Sequence, residues 1–480
     1  MKHLLISLFI SSLTTFSLAQ NCDCGDELKF VIDYYEANLP GFRDNVTESN
    51  QSDYNAFKGK LAEQSQKYCG DKNQCFKILS TYVEFFKDNH SYIYMNSSIN
   101  VDESKRREVR NFRRSNTFRN REVIKNLNDR FIQPIDSIEN VYTTDDGAYE
   151  VVIVKSKNEF RDYVGVITAS KTKLWRKGQV KFELKRVGEN TYDMFMYLRN
   201  HSLMHYKNVR LENGMLDNVW FNIHLKERKA HSQSKYNDFE YKFEEIDEAT
   251  NYMYLPTFDG DRFAEITAFY AKYDSLIRTK PNLIIDVRNN GGGSDGCALP
   301  LLKYIYTNPF LDDKVEMYAT EENIRKCEEW YEDMAKDTVN YKKEFLTMFR
   351  DEIEQMKTVP NKTFIVRGEA ETIELEEVLP YPSDVAIISN RGCASSCETL
   401  LFWAKESGKT RIVGENSGGF VGYGEISQTE TPGFGYVLGC TMTRYSEQRK
   451  FEVDGVPPSV YLDRNRDWLE QTIELLKTSN

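Results

Sequence analysis

Histidine is scarce in this chain, with six in 480 residues. One of them, His3, lies in the first 19 positions, so chemistry that needs an imidazole has five candidates: His90, His201, His205, His224 and His231. Cysteine pairs of the double CxxC kind are missing, which removes the common structural zinc sites, and no metal is expected. No Gly-Lys-Ser/Thr follows the glycine run, and the spacing of dinucleotide-binding turns is not met, so no nucleotide cradle is offered. After the first 20 residues no apolar run approaches 18, and no membrane insertion is expected. Net positive charge is also absent: 63 Lys and Arg stand against 74 Asp and Glu, a balance of −11, which argues against a nucleic-acid partner. The exception is the basic run "KRREVRNFRRSNTFRNREVIK" (105–125), which reads as a solvated helix or linker, with an anionic partner as the alternative.

What is present begins with "MKHLLISLFISSLTTFSLAQ". Lys2 and His3 precede an apolar core from Leu4 to Ile10, and Ser17-Leu18-Ala19 places small residues at −3 and −1. Residues 1–19 therefore read as a secretory signal peptide, and the product as exported, periplasmic or extracellular. Cys22 lacks the preceding small residue of a lipoprotein box. The nine cysteines are free to pair in such a compartment. Cys22/Cys24 and Cys69/Cys75 lie close together in sequence, and the odd total leaves at least one thiol free or shared between chains.

The hydrophobic period changes along the chain. "DELKFVIDYYEANL" and "QCFKILSTYVEFFKDNH" repeat at three- and four-residue spacing, which predicts an N-terminal helical domain over 20–130. "AYEVVIVKS", "YVGVITAS", "GQVKFELKRV", "TYDMFMYL" and "VWFNIHL" alternate and are punctuated by turn residues, which predicts a β-barrel-like domain over 131–240. From 241 to 480, the apolar strands "NLIIDV" and "DVAIISN" each run into Gly- or Ser-rich turns and helices, the α/β pattern. A charged helical stretch, 321–356, reads as an insertion into it. The fold class is thus a multidomain α/β (α+β) protein.

Two turns in the third region carry chemistry. "NLIIDVRNNGGGSDG" (282–296) ends a strand in three glycines, whose bare N–H groups suit an anion or oxyanion as well as a plain tight turn. In "RGCASSCETLL" (391–401), Ser395 and Glu398 fit the N-cap and N3 positions of a capping box. A serine at a strand-to-helix turn is also where hydrolases display a nucleophile, and the two readings are compatible. Such a hydroxyl needs a base, and His90 in "DNHS" is one candidate.

"LIIDVRNNGGG", "SSCE" after an apolar strand, "RIVGENSGG" and "EVDGVPPSV" follow in that order, and "YMYLPTF" precedes them. Together they resemble the C-terminal-processing (tail-specific) peptidase family, which includes the tricorn core protease, over about residues 245–475. The resemblance implies a crotonase-like peptidase core and a serine nucleophile. Members with a Ser–Lys dyad carry a lysine between glycines after the "VGE" motif; here Gly418-Gly419-Phe420-Val421 stands there, and Lys409 and Lys450 are out of motif. The tricorn-like Ser–His branch fits better. It implies Ser395 as nucleophile, His90 as base and Glu452 as the orienting carboxylate. Gly291, Gly292 and Ser396 then supply oxyanion N–H groups. Ser396, Ser91 and Asp454 are the alternatives. No PDZ-like carboxylate-binding loop is found, and the β region takes its place. Cys393 and Cys397 flank the nucleophile and read as buried packing thiols, with a pairing of one of them to Cys297, Cys327 or Cys440 as the reading offered and the connectivity left open by the sequence.

The leading expectation is an exported serine endopeptidase acting on unfolded or processed polypeptides, with no cofactor. The alternative is a peptidase-fold binding protein for a lipid, glycan or peptide. A glycoside hydrolase is disfavoured, because no acidic pair sits in an apolar frame as Ser395 does.

Overall fold

The computed structural model describes residues 23–97, 99–125, 136–217, 219–225, 234–236, 238–337, 341–367 and 372–478. The expected signal segment 1–19, Cys22 and His231 lie outside them.

Four helices open the described chain: Asp23–Asn38, Pro40–Asn45, Gln51–Lys67 and Lys72–Glu84. Their apolar stripes meet in one core, with Leu28, Val31 and Tyr35 against Phe76, Leu79, Tyr82 and Phe86, all at most 2% exposed. Asp71 caps the last helix by accepting the N–H groups of Asn73 and Gln74 at 3.0 and 3.1 Å. A Cys24–Cys75 disulfide joins the first helix to the fourth across 51 positions. In the chain-entropy view a loop of that length contributes about 4 kcal/mol. Cys69 is also disulfide-bonded.

The helical segment then enters the core directly. Strand Tyr92–Met95 pairs antiparallel with Tyr436–Tyr445, Tyr92 opposite Gly439. A Cβ on Gly439 would stand 2.6 Å from the Tyr92 ring, so only glycine lets the two strands close. The same sheet takes in Val315–Ala319, Thr363–Val366 and Tyr423–Glu430. The charged stretch after 320 forms the helices Glu321–Met334 and Lys343–Thr358, which pack Cys327, Phe349, Ile353 and Met356 on Met317 and Met442.

The basic run forms the helices Arg106–Arg114 and Asn116–Arg119. Only Val109, Phe112 and Phe118 of these helices are buried. Beyond them the chain closes an eight-stranded antiparallel barrel between Val141–Thr144 and Trp220–Asn222. Phe182 and Trp220 sit in its packed interior. A buried ion pair, Lys77 Nζ to Glu183 at 2.7 Å, ties the barrel to the fourth helix.

The last region is a six-stranded sheet in the order Lys242–Glu245, Thr250–Tyr254, Asn282–Asp286, Asp384–Ser389, Thr410–Gly414, Val460–Tyr461. All its pairings are parallel except the first. Its central strands are covered on both faces, which explains their unbroken apolar runs. Leu283, Ile285, Val385 and Ile387 face the helices Phe263–Ile277 and Ser396–Lys405; Ile284, Ala386 and Ile388 face Trp468 of the helix Trp468–Lys477. The mixed α/β architecture with an all-β barrel is the expected fold class.

Candidate active site

Asn282–Asp286 and Asp384–Ser389 run parallel with Asp286 beside Ile388, so the loops that follow leave one edge of the sheet together. These loops are cross-linked. The Asn289 N–H donates to Asn390 Oδ1 at 2.9 Å, and Asn390 Nδ2 donates back to Asn289 Oδ1 at 3.0 Å. The Ala394 N–H donates to the Asn290 carbonyl at 3.0 Å. Below them the Arg288 guanidinium and the Asp286 carboxylate form a buried pair at 2.6 Å, and Tyr252 donates to the same carboxylate at 2.8 Å.

Ser395 is the half-buried residue just before the helix Ser396–Lys405, with φ 56° and ψ −125°. A side chain in such a region costs about 1–3 kcal/mol and persists only where the surroundings impose it. Gly292 makes the room: its φ is 86°, and a Cβ there would stand 2.9 Å from the Ser395 Cβ and 2.4 Å from the Ala394 carbonyl oxygen. The Gly292 N–H itself donates to Asn290 Oδ1 at 2.9 Å. Ser396 is buried near the Asp295 carboxyl, whose pKa burial raises and the nearby Ser396 and Thr399 side chains lower. Cys393 and Cys397 are bonded to each other, with Cα atoms 5.6 Å apart. This corrects the expected pairing with Cys297, Cys327 or Cys440, which are buried free thiols. The physical reason is local: the turn brings residues four apart within bridging range.

Glu398 organises the turn. It is fully buried and accepts the Ser395 N–H at 2.9 Å, the Gly419 and Phe420 N–H groups at 2.8 Å each, and the Ser417 hydroxyl. Burial pushes its carboxyl above the usual range, and those four donors oppose the shift. The sequence marked Glu398 only as a capping residue; its grip on residues 417–420 shows in no local pattern.

His90 lies in a turn built by Asp88, a buried carboxylate. Asp88 Oδ1 accepts the His90 and Ser91 N–H groups at 3.0 and 3.1 Å, and Oδ2 accepts the Ser91 and Thr441 hydroxyls at 2.7 Å each. The Ser91 hydroxyl is therefore buried and committed to Asp88. The His90 ring meets the Phe420 ring edge-on, centroids 5.3 Å apart, and its Nδ1 is buried without a hydrogen-bond partner. Burial pushes its pKa below the ordinary histidine value, against the Asp88 charge, the nearby Tyr423 backbone and the Glu425 charge. The neutral imidazole, the form a general base needs, is thereby favoured.

Glu452 accepts the Asn89 N–H at 2.7 Å through one oxygen and the Val421 and Gly422 N–H groups at 2.8 and 2.6 Å through the other. It thus pins the residue before His90 to the loop segment after Phe420. Burial, with the Asp88 charge second, pushes its carboxyl up to about 8, against those three donors. Asp454 is exposed, and it is its backbone carbonyl that takes a bond from Asn416 Nδ2 at 3.0 Å. Of the two out-of-motif lysines, Lys409 points its amine at the Leu379 carbonyl and Lys450 pairs with Glu447. Phe420, at the place where a Ser–Lys member carries its lysine, is the site residue that sequence reading passed over.

Residues 249–462 match the model of Peptidase family S41. No curated protein matches the chain by sequence. Among solved structures, mature CPAF is 12% identical over 95% of this chain and 97% of its own, with a TM-score of 0.49. The photosystem II D1 C-terminal processing protease is 13% identical over 92% of this chain and 93% of its own, TM-score 0.35. The tricorn protease is 12% identical over 94% of this chain and 36% of its own, TM-score 0.35. The overall likeness is low in each case, and the assignment rests on the family match and on the strands and loops that lie within it. Residues 249–462 form a peptidase family S41 core, that of a serine-type peptidase.

Proposed function

We propose that this protein is an exported serine endopeptidase acting on unfolded or processed polypeptides, with Ser395 as nucleophile, His90 as general base and Glu452 as the carboxylate that positions the base. The observation that carries this reading is a linkage. Ser395 sits with positive φ at a strand-to-helix turn, and Glu398 takes both its N–H and that of Phe420, the residue whose ring borders His90. His90 takes the hydroxyl proton as Ser395 Oγ attacks the peptide carbonyl. The carbonyl oxygen, now charged, is received by the N–H of Ser396 at the first helical position, with Gly291 of the glycine loop as second donor. The amine leaves with the proton from His90, and water, deprotonated in turn by His90, releases the acyl group.

Glu452 works through the backbone of Asn89 rather than on the imidazole. Two disulfides among the described residues suit an oxidising compartment. A fluorophosphonate probe, followed by peptide mapping, tests the proposal: the label is expected on Ser395, and hydrolysis of an unfolded protein is expected to stop with it. A folded protein that takes no label would favour the binding-protein reading.

A further inference from the structure

The disulfide Cys393–Cys397 closes a ring around Ala394, Ser395 and Ser396, and no step of the proposed chemistry uses it. Two bridges of different kinds are described in this chain. Cys24–Cys75 joins positions 51 apart and restrains a long stretch of unfolded chain. Cys393–Cys397 joins positions only 4 apart, so it restrains little of the unfolded chain, and its effect is local. What is local is the one residue of the turn with φ in the left-handed region, Ser395.

Other groups also act on the turn: Gly292 leaves space, Glu398 holds the Ser395 N–H, and the Ala394 N–H donates to the Asn290 carbonyl. The bridge acts on the segment from both sides, anchored in the core: Cys393 and Cys397 are each 0% exposed and pack among Leu283, Val287 and Leu400. Their burial also shields the sulfurs from attack by solvent thiols, which suits a lasting clamp rather than a reversible switch.

We propose that the Cys393–Cys397 disulfide is a positioning device for the nucleophile: it holds Ser395 in the strained turn from which its hydroxyl attacks. The inference rests on the reading of Ser395 as nucleophile. It assigns to Cys393 and Cys397 a part in the rate of acyl transfer and none in substrate binding.

The test is the full-length double variant Cys393→Ala/Cys397→Ala, assayed well below its thermal midpoint. Three readouts are compared with the parent: the rate of fluorophosphonate labelling at Ser395, kcat and KM on an unfolded protein, and the acidic limb of the pH–rate profile. The expected result is a fall of at least tenfold in labelling rate and kcat, a KM within twofold, and an unmoved acidic limb, since His90 is untouched. A variant that labels within twofold of the parent overturns the proposal, as does one whose loss lies in KM alone. Should the alanine pair fail to fold, the parent is treated with tris(2-carboxyethyl)phosphine in urea below its unfolding transition, and opening of the bridge is counted by alkylation and peptide mass. Labelling must then fall in step with the opened bridge; labelling that continues at the parent rate on opened protein overturns the proposal. A parent that takes no label at Ser395 is a separate result: it removes the nucleophile reading, and this inference with it.

Discussion

The His90 imidazole meets the Phe420 ring edge-on at 5.3 Å, while the Phe420 N–H is held by Glu398, the same carboxylate that takes the N–H of Ser395. One residue thus touches the proposed base with its ring and shares an anchor with the proposed nucleophile through its backbone. The two come from opposite ends of the chain, and this shared anchor keeps them in one frame.

Phe420→Ala keeps the backbone anchor and removes the ring. An aromatic contact of this kind is worth about 0.5–1.5 kcal/mol, and its loss admits water beside the imidazole. Burial is the main cause holding the His90 pKa below its ordinary value, so exposing the ring raises that pKa toward about 6.5. The acidic limb of kcat/KM is therefore expected to move to higher pH in the variant, with kcat lower by about tenfold in accord with lost orientation of the base. Parallel pH–rate profiles of parent and variant decide it; a limb that stays in place or moves down contradicts the packing argument.

The motif makes Glu452 the first candidate for the orienting carboxylate and Asp454 its alternative, and the two side chains have different surroundings. Three backbone N–H groups point at the Glu452 oxygens, whereas the Asp454 side chain is exposed. In Glu452→Gln an amide N–H₂ must face at least one of those donors. Leaving a buried donor unsatisfied costs about 1–3 kcal/mol, and the Asn89–His90 turn loosens with it. The expected outcome is a fall in kcat of about tenfold or more with Glu452→Gln, and activity within about twofold of the parent with Asp454→Asn. Steady-state kinetics on the two variants that come out in the reverse order would return the role to Asp454.

Much of this site was legible because strands and turns announce themselves locally. The all-buried run Asn282–Asp286 and the run Asp384–Ser389 read as strands, and their parallel pairing in the structure makes their glycine and serine turns adjoin. His90 was legible through its motif and its rarity. Three features were not. Glu398 looked like a helix cap because its bonds to residues 417–420 span some twenty positions that no periodicity connects. The partner of Cys393 could not be read, since pairing depends on the Cα separation set by the turn. Phe420 was noticed only as a missing lysine, because contact with His90 requires the pairing of Tyr92–Met95 with Tyr436–Tyr445, which brings distant ends of the chain together.

Acidification below about pH 6.5 is expected to destabilise the protein through two buried histidines. His201 and His205 are both pushed down to about 3, burial being the largest cause for each. His201 is stacked on Trp175 at 3.9 Å, with Arg121 Nε 3.3 Å from its Nδ1. A histidine whose folded pKa is depressed binds its proton only on unfolding. Its cost is absent above the unfolded value of about 6.5 and grows as pH falls from there toward the folded value. At pH 5 each such group lowers stability by on the order of 2 kcal/mol. Thermal midpoints measured between pH 7.5 and 5 should fall below about 6.5, and a His201→Gln variant should show a shallower fall. A midpoint that is flat across that interval contradicts the burial of both rings.

Stability and activity should part company at Ser395. Its φ of 56° is unfavourable for any residue with a Cβ and ordinary for glycine. Ser395→Ala removes the hydroxyl and keeps the Cβ, so hydrolysis is lost while the strain remains. Ser395→Gly removes both. Relief of strain worth about 1–3 kcal/mol is partly offset by about 0.4–1 kcal/mol from the freer unfolded chain, so the glycine variant should be more stable than the alanine variant by about 1 kcal/mol. Ser396→Ala, which removes a buried hydroxyl, should instead keep most activity and lose some stability. Chemical denaturation of the three variants, with hydrolysis of an unfolded protein measured alongside, gives the full ordering. If Ser395→Gly is less stable than Ser395→Ala, the residue is not held in the left-handed region. If Ser396→Ala is the inactive variant and Ser395→Ala the active one, the nucleophile lies one position further along the turn.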